Sequence, residues 1–271
     1  MDSSRLVKGN VEDHKVPALL YLLFNMKLFV LLITLFALAP TQVIGFGPDI
    51  SEVFDNTTGT PDTRFGQEIG SEYTANILFD ASDFVLKTFE QTDGGGKNYT
   101  SIGATVTSFK ASGIGGYPLQ VAIIGGNVIL LNADYVQTYT GDLKAEFTGI
   151  LYHVSARVWQ WTADGTAPNW LITGIADYVR LTSGWPSKDW VSRGSGSSWE
   201  EGYAVAAYFL EYCNGINGRF IAELNAIMRY SYSDAFFAQL LRKPVYDLWD
   251  DYKLQYGGNP PAPALASSSG C

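Results

Sequence analysis

The spacing of hydrophobic and polar positions changes along this chain and divides it into a strand-rich part and a helical part. Over residues 70–90, apolar residues recur at helical spacing, and the glycines at 94–96 predict the end of that helix. From Asp142 to about Tyr256 helical spacing returns. Between these segments lie runs of β-type residues, separated by Gly-rich turns, at Ile102–Phe109, Leu119–Ile124 and Asn127–Leu131. Strands placed ahead of a long helical part predict an α+β fold with a small sheet, rather than an alternating α/β fold.

The two ends of the chain lack this pattern. Residues 46–65 have little periodicity, which predicts extended or loop structure, and residues 257–271 are rich in Pro, Ala and Ser, which predicts a flexible tail. We therefore expect one domain over residues 46–256.

The segment ahead of this domain has the composition of a secretory signal. Residues 26–45 combine Lys27 with the apolar run Leu28–Ala39 and small residues near a cleavage site. Residues 1–25 are then an extension upstream of the translated start. An alternative joins residues 17–39 into a membrane anchor, although polar residues in its middle make burial in lipid costly. We expect cleavage and secretion, with no stable membrane insertion unless the signal is uncleaved.

Composition and charge narrow the possible chemistry. The 271 residues are 46% apolar, enough for a substantial core, and carry a net charge of −9. An acidic chain without Lys/Arg clusters argues against nucleic acid as a partner. Two cysteines, Cys213 and Cys271, exclude a cysteine-rich zinc site but leave a single disulfide open. Of the two histidines, His14 precedes the predicted domain, so only His153 is left to bind a metal there.

The segment Leu151–Trp161 carries the most informative pattern. A zinc-peptidase helix has two histidines one turn apart, which hold the metal, and a glutamate after the first, which acts as general base. Here the base position is Val154 and the second ligand position is Arg157, a permanent cation. His153, Arg157 and Gln160 form one stripe along the helix. The neighbouring apolar stripe consists of Phe147, Ile150, Leu151, Val154 and Val158.

A second helix, predicted at Trp170–Leu181, carries Thr173 and Asp177 one turn apart. We expect Asp177 to pair with Arg157 across the cleft, as a structural salt bridge in the place of a metal. If any metal binds, its protein ligands would be His153 and Asp177, which make a poor zinc shell.

Ordered matches run from about Arg64 to Tyr256. They are Arg64–Gly70, Tyr139–Lys144, Gly149–His153, Val158–Trp161, Gly174–Arg180, Trp199–Asn214 and Tyr232–Phe237. In these segments the chain resembles the plant basic secretory proteins, a pathogenesis-related group of zincin-like peptidases. The resemblance implies a zincin-like metallopeptidase fold, secretion to the cell wall space, a link to defence, and zinc as the cofactor of the family.

The chain departs from the family pattern at the residues that carry the chemistry. The pattern has His-Glu-x-x-His before Val-Trp-Gln-Trp, and Glu-Gly-Ile-Ala-Asp downstream. His153 and Asp177 match it, whereas Val154, Arg157 and Thr173 replace the presumed base, the second ligand and the downstream acid. The resemblance therefore predicts a vestigial active-site cleft formed by these five residues, with no catalytic residue and with the zinc lost.

The sequence gives little support for a serine-based catalytic site. Ser155 lies near His153 in sequence, but its position on the helix does not aim it at the imidazole, and the loop 194–198 has no histidine to complete a triad. Two sequons, at Asn56 and Asn98, predict glycosylation of an exported chain.

We therefore expect a secreted, catalytically inactive, zincin-like protein that binds a peptide or carbohydrate ligand in the former substrate cleft, in defence or cell-wall biology. The alternative is an active metallopeptidase with a non-standard metal shell, in which waters or a further carboxylate join His153 and Asp177.

Overall fold

The computed structural model describes part of the chain, namely residues 49–55 (backbone only), 63–91, 96–109 and 121–258. The chain divides into two units, residues 1–44 and 45–271. The first unit lies outside the described residues, and all that follows concerns the second. The predicted signal, the sequon at Asn56 and most of the predicted tail also lie outside the described residues.

The strands of the described part form one sheet. They are β1 (Asp49–Asp55), β2 (Ser101–Thr107), β3 (Ala122–Gly125) and β4 (Val128–Asn132). Their order is β1-β2-β4-β3, with β2 parallel to both β1 and β4, and β3 antiparallel to β4. Along β2, alternate residues enter the core, and Ile102, Ala104 and Val106 are buried.

Strand β1 refines the prediction of extended or loop structure for residues 46–65. Its residues pair in parallel with β2, a partner about fifty positions later in the chain. Its sequence has acidic residues at both ends and in the middle, so its own pattern gives little strand signal. The predicted strands at 102–109 and 127–131 are confirmed with slightly shifted ends, and the one at 119–124 is observed from Ala122 onward.

The helical part is a series of packed neighbours, with α3 between α1 and α4. The helices of the described residues are α1 (Ser71–Thr88), α2 (Ala133–Thr138), α3 (Leu143–Trp159), α4 (Asn169–Thr182), α5 (Tyr203–Ile216), α6 (Phe220–Ile227), α7 (Ala235–Leu241) and α8 (Val245–Tyr256). A π-helical turn at Phe65–Ile69 precedes α1, and a 3₁₀ turn at Trp199–Glu201 precedes α5. Helix α3 packs against α1 and α4, and α4 packs in turn against α5. Strands followed by a helical half confirm the α+β class.

Local chemistry sets the end of α1 and the start of α3. Helix α1 ends at Thr88, earlier than the predicted stop at 94–96, because Glu90 adopts a left-handed conformation with φ 51°. Helix α3 begins after Asp142, whose carboxylate accepts a hydrogen bond from the Ala145 N–H at 3.0 Å.

The predicted apolar stripe of α3 is confirmed, since all five of its residues are buried. The C-terminal helices enclose an aromatic cluster centred on Phe209 of α5, which lies 5.3 Å from Trp249 and 6.1 Å from Phe237 between ring centroids. This cluster anchors α5, whose first residue, Tyr203, borders the candidate site described next. Within the described residues, no helix is long and apolar enough to cross a membrane.

Candidate functional site

The imidazole of His153 is held by a buried carboxylate. His153 projects from α3, and its Nδ1 lies 2.6 Å from Oδ1 of Asp177 on α4. The side chain of Asp177 is 5% exposed, and that of His153 is 17% exposed. An ionised Asp177 accepts a hydrogen bond from Nδ1, so Nε2 is the nitrogen left to meet a ligand. The structure therefore brings together the two site residues that match the resemblance.

Arg157 does not form the expected salt bridge with Asp177. Asp177 contacts His153 instead, and no ion pair of the described residues includes Arg157. Arg157 is half-buried, and this burial lowers the pKa of its guanidinium, while the nearby phenol of Tyr203 acts in the opposite direction. The prediction failed because the spacing of residues along two helices does not reveal which pair of side chains meets between them.

Thr173 is buried and turns its hydroxyl to the backbone. Its Oγ1 donates to the carbonyl of Asn169 at 2.9 Å and accepts from the Tyr203 N–H at 3.4 Å. Gly202 has φ 72°, and a Cβ there would lie 2.9 Å from Thr173 Oγ1. The hydroxyl of Thr173 is thus used to fix the start of α5 against α4.

Tyr203 is a site residue that sequence reasoning missed. Its backbone has φ 46°, uncommon for a residue other than glycine, and the residue is 58% exposed. The available signal was an aromatic residue directly after a glycine at the start of a helical run. Residues held in such sparsely populated conformations often cluster at functional sites, so Tyr203 is included in the candidate site.

Val154, which belongs to the predicted apolar stripe, and Gln160, which was predicted to share a stripe with His153 and Arg157, both face the interior. Val154 is 1% exposed and belongs to the core. Gln160 is fully buried beyond the last residue of α3, where its Nε2 donates to the carbonyl of Ile172 at 3.1 Å. The expectation that Gln160 lines the same edge as His153 and Arg157 is therefore wrong, because α3 ends at Trp159 and the helical spacing no longer applies.

Comparison with known proteins identifies the family. A family model described as "Peptidase of plants and bacteria" matches residues 49–252. The chain belongs to this family. A relative named "Basic secretory protease", from Boswellia serrata, is 38% identical over 61 residues, which are 22% of this chain and 70% of the relative. No solved structure matches. The resemblance inferred from the sequence is confirmed.

The residues around His153 do not fit the zinc of a family peptidase. Zinc in such sites needs three protein donors of the His, Cys, Asp or Glu type. Within the described ranges, no group of three or more of these side chains could hold a metal ion. Arg157 is a cation one turn from His153, and the Thr173 hydroxyl donates to a backbone carbonyl. Arg157 and Thr173 stand where the family pattern has the second ligand and the downstream acid.

A buried ion pair lies behind the site and was not foreseen from the sequence. Arg180 Nη2 of α4 lies 2.8 Å from Glu146 Oε2 of α3, and both side chains are less than 10% exposed. Arg180 Nε also donates to the carbonyl of Trp185 at 2.9 Å. Gly149 leaves space for this arrangement, since a Cβ there would lie 2.8 Å from Arg180 Cζ and 2.5 Å from Trp185 O. A glycine in the middle of a helix was the available signal.

One predicted glycosylation site can be located. Asn98 is exposed, as a glycan acceptor must be. Its neighbour Lys97 is half-buried and donates from Nζ to the carbonyl of Val158 near the end of α3, at 2.8 Å. Burial lowers the pKa of the Lys97 amine to about 8. Among the described residues Cys213 has no disulfide partner and is fully buried, and burial raises the pKa of its thiol; Cys271, with which a disulfide was left open, lies outside these residues.

Proposed function

We propose that this protein is a secreted, catalytically inactive member of the peptidase family, which binds a peptide or glycan in a zincin-like cleft and acts in defence or cell-wall biology. One observation carries the proposal: α3 keeps a single imidazole, His153, and places the guanidinium of Arg157 one turn later. A cation in the second ligand position repels a dication and cannot coordinate it.

The base position supports the same proposal. A zinc peptidase needs a carboxylate to take a proton from the attacking water. Val154 has no titratable group. Among the residues that the structure describes, the carboxylate in contact with His153 is that of Asp177, which is 4% exposed and engaged with Nδ1. Asp177 therefore positions the imidazole and is poorly placed to activate water.

Secretion rests on the predicted signal at residues 26–45 and on the word "secretory" in the relative's name. N-terminal sequencing of the exported protein tests this part of the proposal. A mature chain that starts near Phe46 supports it, and retention of residues 17–39 in a membrane fraction contradicts it.

Metal analysis and proteolysis assays test the inactivity. We expect the purified protein, after exposure to Zn²⁺ and gel filtration, to retain far less than one zinc per chain and to leave casein uncut. Stoichiometric zinc together with chelator-sensitive cleavage would support an active metallopeptidase with a non-standard shell instead. The contact of Asp177 with Nδ1 favours this alternative as the runner-up, because zinc-binding histidines commonly use one nitrogen for the metal and the other for a carboxylate.

Restoring the family residues provides a sharper test. The double variant Arg157→His/Thr173→Glu should gain zinc binding, because it adds an imidazole and a carboxylate near His153. Adding Val154→Glu should then give proteolysis, and the double variant is its matched control, with metal but without the base. Thermal melting of the double and triple variants must show that they remain folded, since Val154 is buried. A folded triple variant that binds no zinc would refute the zincin-like placement of these residues.

A further inference from the structure

Arg157 is unlike the other arginines of the described residues. Four arginines are paired with glutamates: Arg64, Arg180, Arg193 and Arg219. Two more, Arg229 and Arg242, are exposed, and Arg229 also stacks over Trp161 at 5.0 Å from the ring centroid. Arg157 is half-buried, yet it forms no hydrogen bond, ion pair or ring contact with the residues that the structure describes.

Burial has removed part of the hydration of the Arg157 guanidinium. None of its five N–H donors has an acceptor among the described residues, so the donors are open to a ligand. An anion placed beside the guanidinium would restore both charge balance and hydrogen bonds. A carboxylate fits best, because the planar guanidinium can donate two parallel hydrogen bonds to its two oxygens.

The carboxylates of the site do not compete for Arg157. Asp177 is engaged with His153 at 2.6 Å, and Thr173 stands where the family pattern has a glutamate. Tyr203 borders Arg157, and its exposed side chain brings a hydroxyl that donates hydrogen bonds. The surroundings of Arg157 therefore offer donors and positive charge to a ligand from solvent.

From these contacts, and resting on the binding function proposed above, we propose that Arg157 anchors the C-terminal carboxylate of a bound peptide, with the hydroxyl of Tyr203 as a second donor. The family is described as peptidases, so a peptide is the ligand class that family membership favours. A peptide brings one terminal carboxylate, which a single arginine can neutralise. An acidic oligosaccharide carries many carboxylates and would be repelled by a protein of net charge −9.

The experiment compares two pools of Nα-acetylated octapeptides of random sequence, one with free C-terminal carboxylates and one with C-terminal amides. Binding of each pool to the whole mature protein is measured by competition against a fluorescent octapeptide acid. We expect the acids to bind at least about tenfold more tightly than the amides, as for a charge-assisted hydrogen-bonded pair. In Arg157→Gln this preference should vanish, while Arg157→Lys should keep part of it, because lysine retains the charge without the planar fork.

Arg229→Gln is the matched control. It removes an exposed arginine that stacks on Trp161, and the preference for acids should stay as in the wild type. Tyr203→Phe should weaken acid binding and leave amide binding unchanged. Circular dichroism and thermal melting of each variant separate loss of binding from loss of fold.

Three results would overturn the proposal that Arg157 anchors a peptide carboxylate. Equal binding of acids and amides by the wild type, or an acid preference that survives in folded Arg157→Gln, would refute it while leaving a peptide-binding function intact. Binding of an oligogalacturonate with no binding of either peptide pool would also refute it, in favour of a glycan ligand. If neither peptide nor oligosaccharide binds, the proposed binding function itself fails.

Discussion

Replacing Gly149 with alanine should destabilise the protein, although alanine is the better helix former. Gly149 lies in the middle of α3, where Arg180 crosses it to reach Glu146. An alanine Cβ at this position would lie 2.5 Å from the Trp185 carbonyl oxygen and 2.8 Å from Arg180 Cζ, and closer still to Arg180 Nε. Carbon atoms normally stay about 3.5 Å or more from such neighbours, so the arginine or the loop must move.

The expected loss follows from the contact that would be disrupted. Arg180 and Glu146 are both buried, and separating such a pair costs about 3–5 kcal/mol because each charge then lacks its partner. Exchanging glycine for alanine in a helix returns about 1 kcal/mol. We therefore expect Gly149→Ala to lower the free energy of unfolding by about 2–4 kcal/mol.

Urea denaturation, followed by tryptophan fluorescence, measures this difference. Gly215→Ala is the matched control, since Gly215 lies in α5 and a Cβ there would meet nothing within 4 Å. The control should unfold at the same or a slightly higher urea concentration than the wild type. If Gly149→Ala behaves like Gly215→Ala, the arginine does not lie against Gly149 and the reasoning is wrong.

Three further predictions follow from side chains near the site. Arg157→Met should leave the free energy of unfolding within about 1 kcal/mol of the wild type or raise it, because no partner of Arg157 is lost. A loss of several kcal/mol in urea denaturation would mean that the Arg157 charge is paired in the folded protein. His153→Ala should lower stability by about 1–3 kcal/mol, since Asp177 is left buried without its partner; unchanged melting would contradict the 2.6 Å contact. Burial lowers the pKa of Lys97 from 10.5 to about 8, so between these two pH values the unfolded chain binds more protons than the folded one. Lys97 therefore makes the free energy of unfolding rise with pH in this range. Urea denaturation from about pH 7.5 to 9.5 should show this rise in the wild type and a smaller one in Lys97→Met; parallel curves would refute the shift.

Much of the fold was predictable because it depends on local spacing. The apolar stripe of α3 and the alternation along β2 each require only a period that the residues themselves carry. Strand β1 was harder to predict, since a parallel strand obtains its hydrogen bonds from a distant partner and its acidic residues obscure the period. The end of α1 was misplaced, because a single left-handed residue, Glu90, stops a helix before the glycines do.

The candidate site was likewise predictable only in part from the sequence. Sequence predicted a site of five residues, namely His153, Val154, Arg157, Thr173 and Asp177, from the spacings of the family pattern, and the structure brings His153 and Asp177 into contact. The sequence did not reveal Tyr203, whose part in the site comes from the start of α5 lying against Thr173. It also did not show that Gln160 leaves the cleft, because this depends on where α3 ends.

By itself, the sequence determined which chemical groups the site has: one imidazole, a valine at the base position and a cation at the second ligand position. Only the tertiary structure decided how they pair. Asp177 had two potential partners on α3, one turn apart, and the packing of α4 brings its carboxylate to His153 and leaves Arg157 without a partner among the described residues. Spacing along one helix sets the face that a residue occupies, whereas a contact between two helices depends on their mutual position, which long-range packing sets.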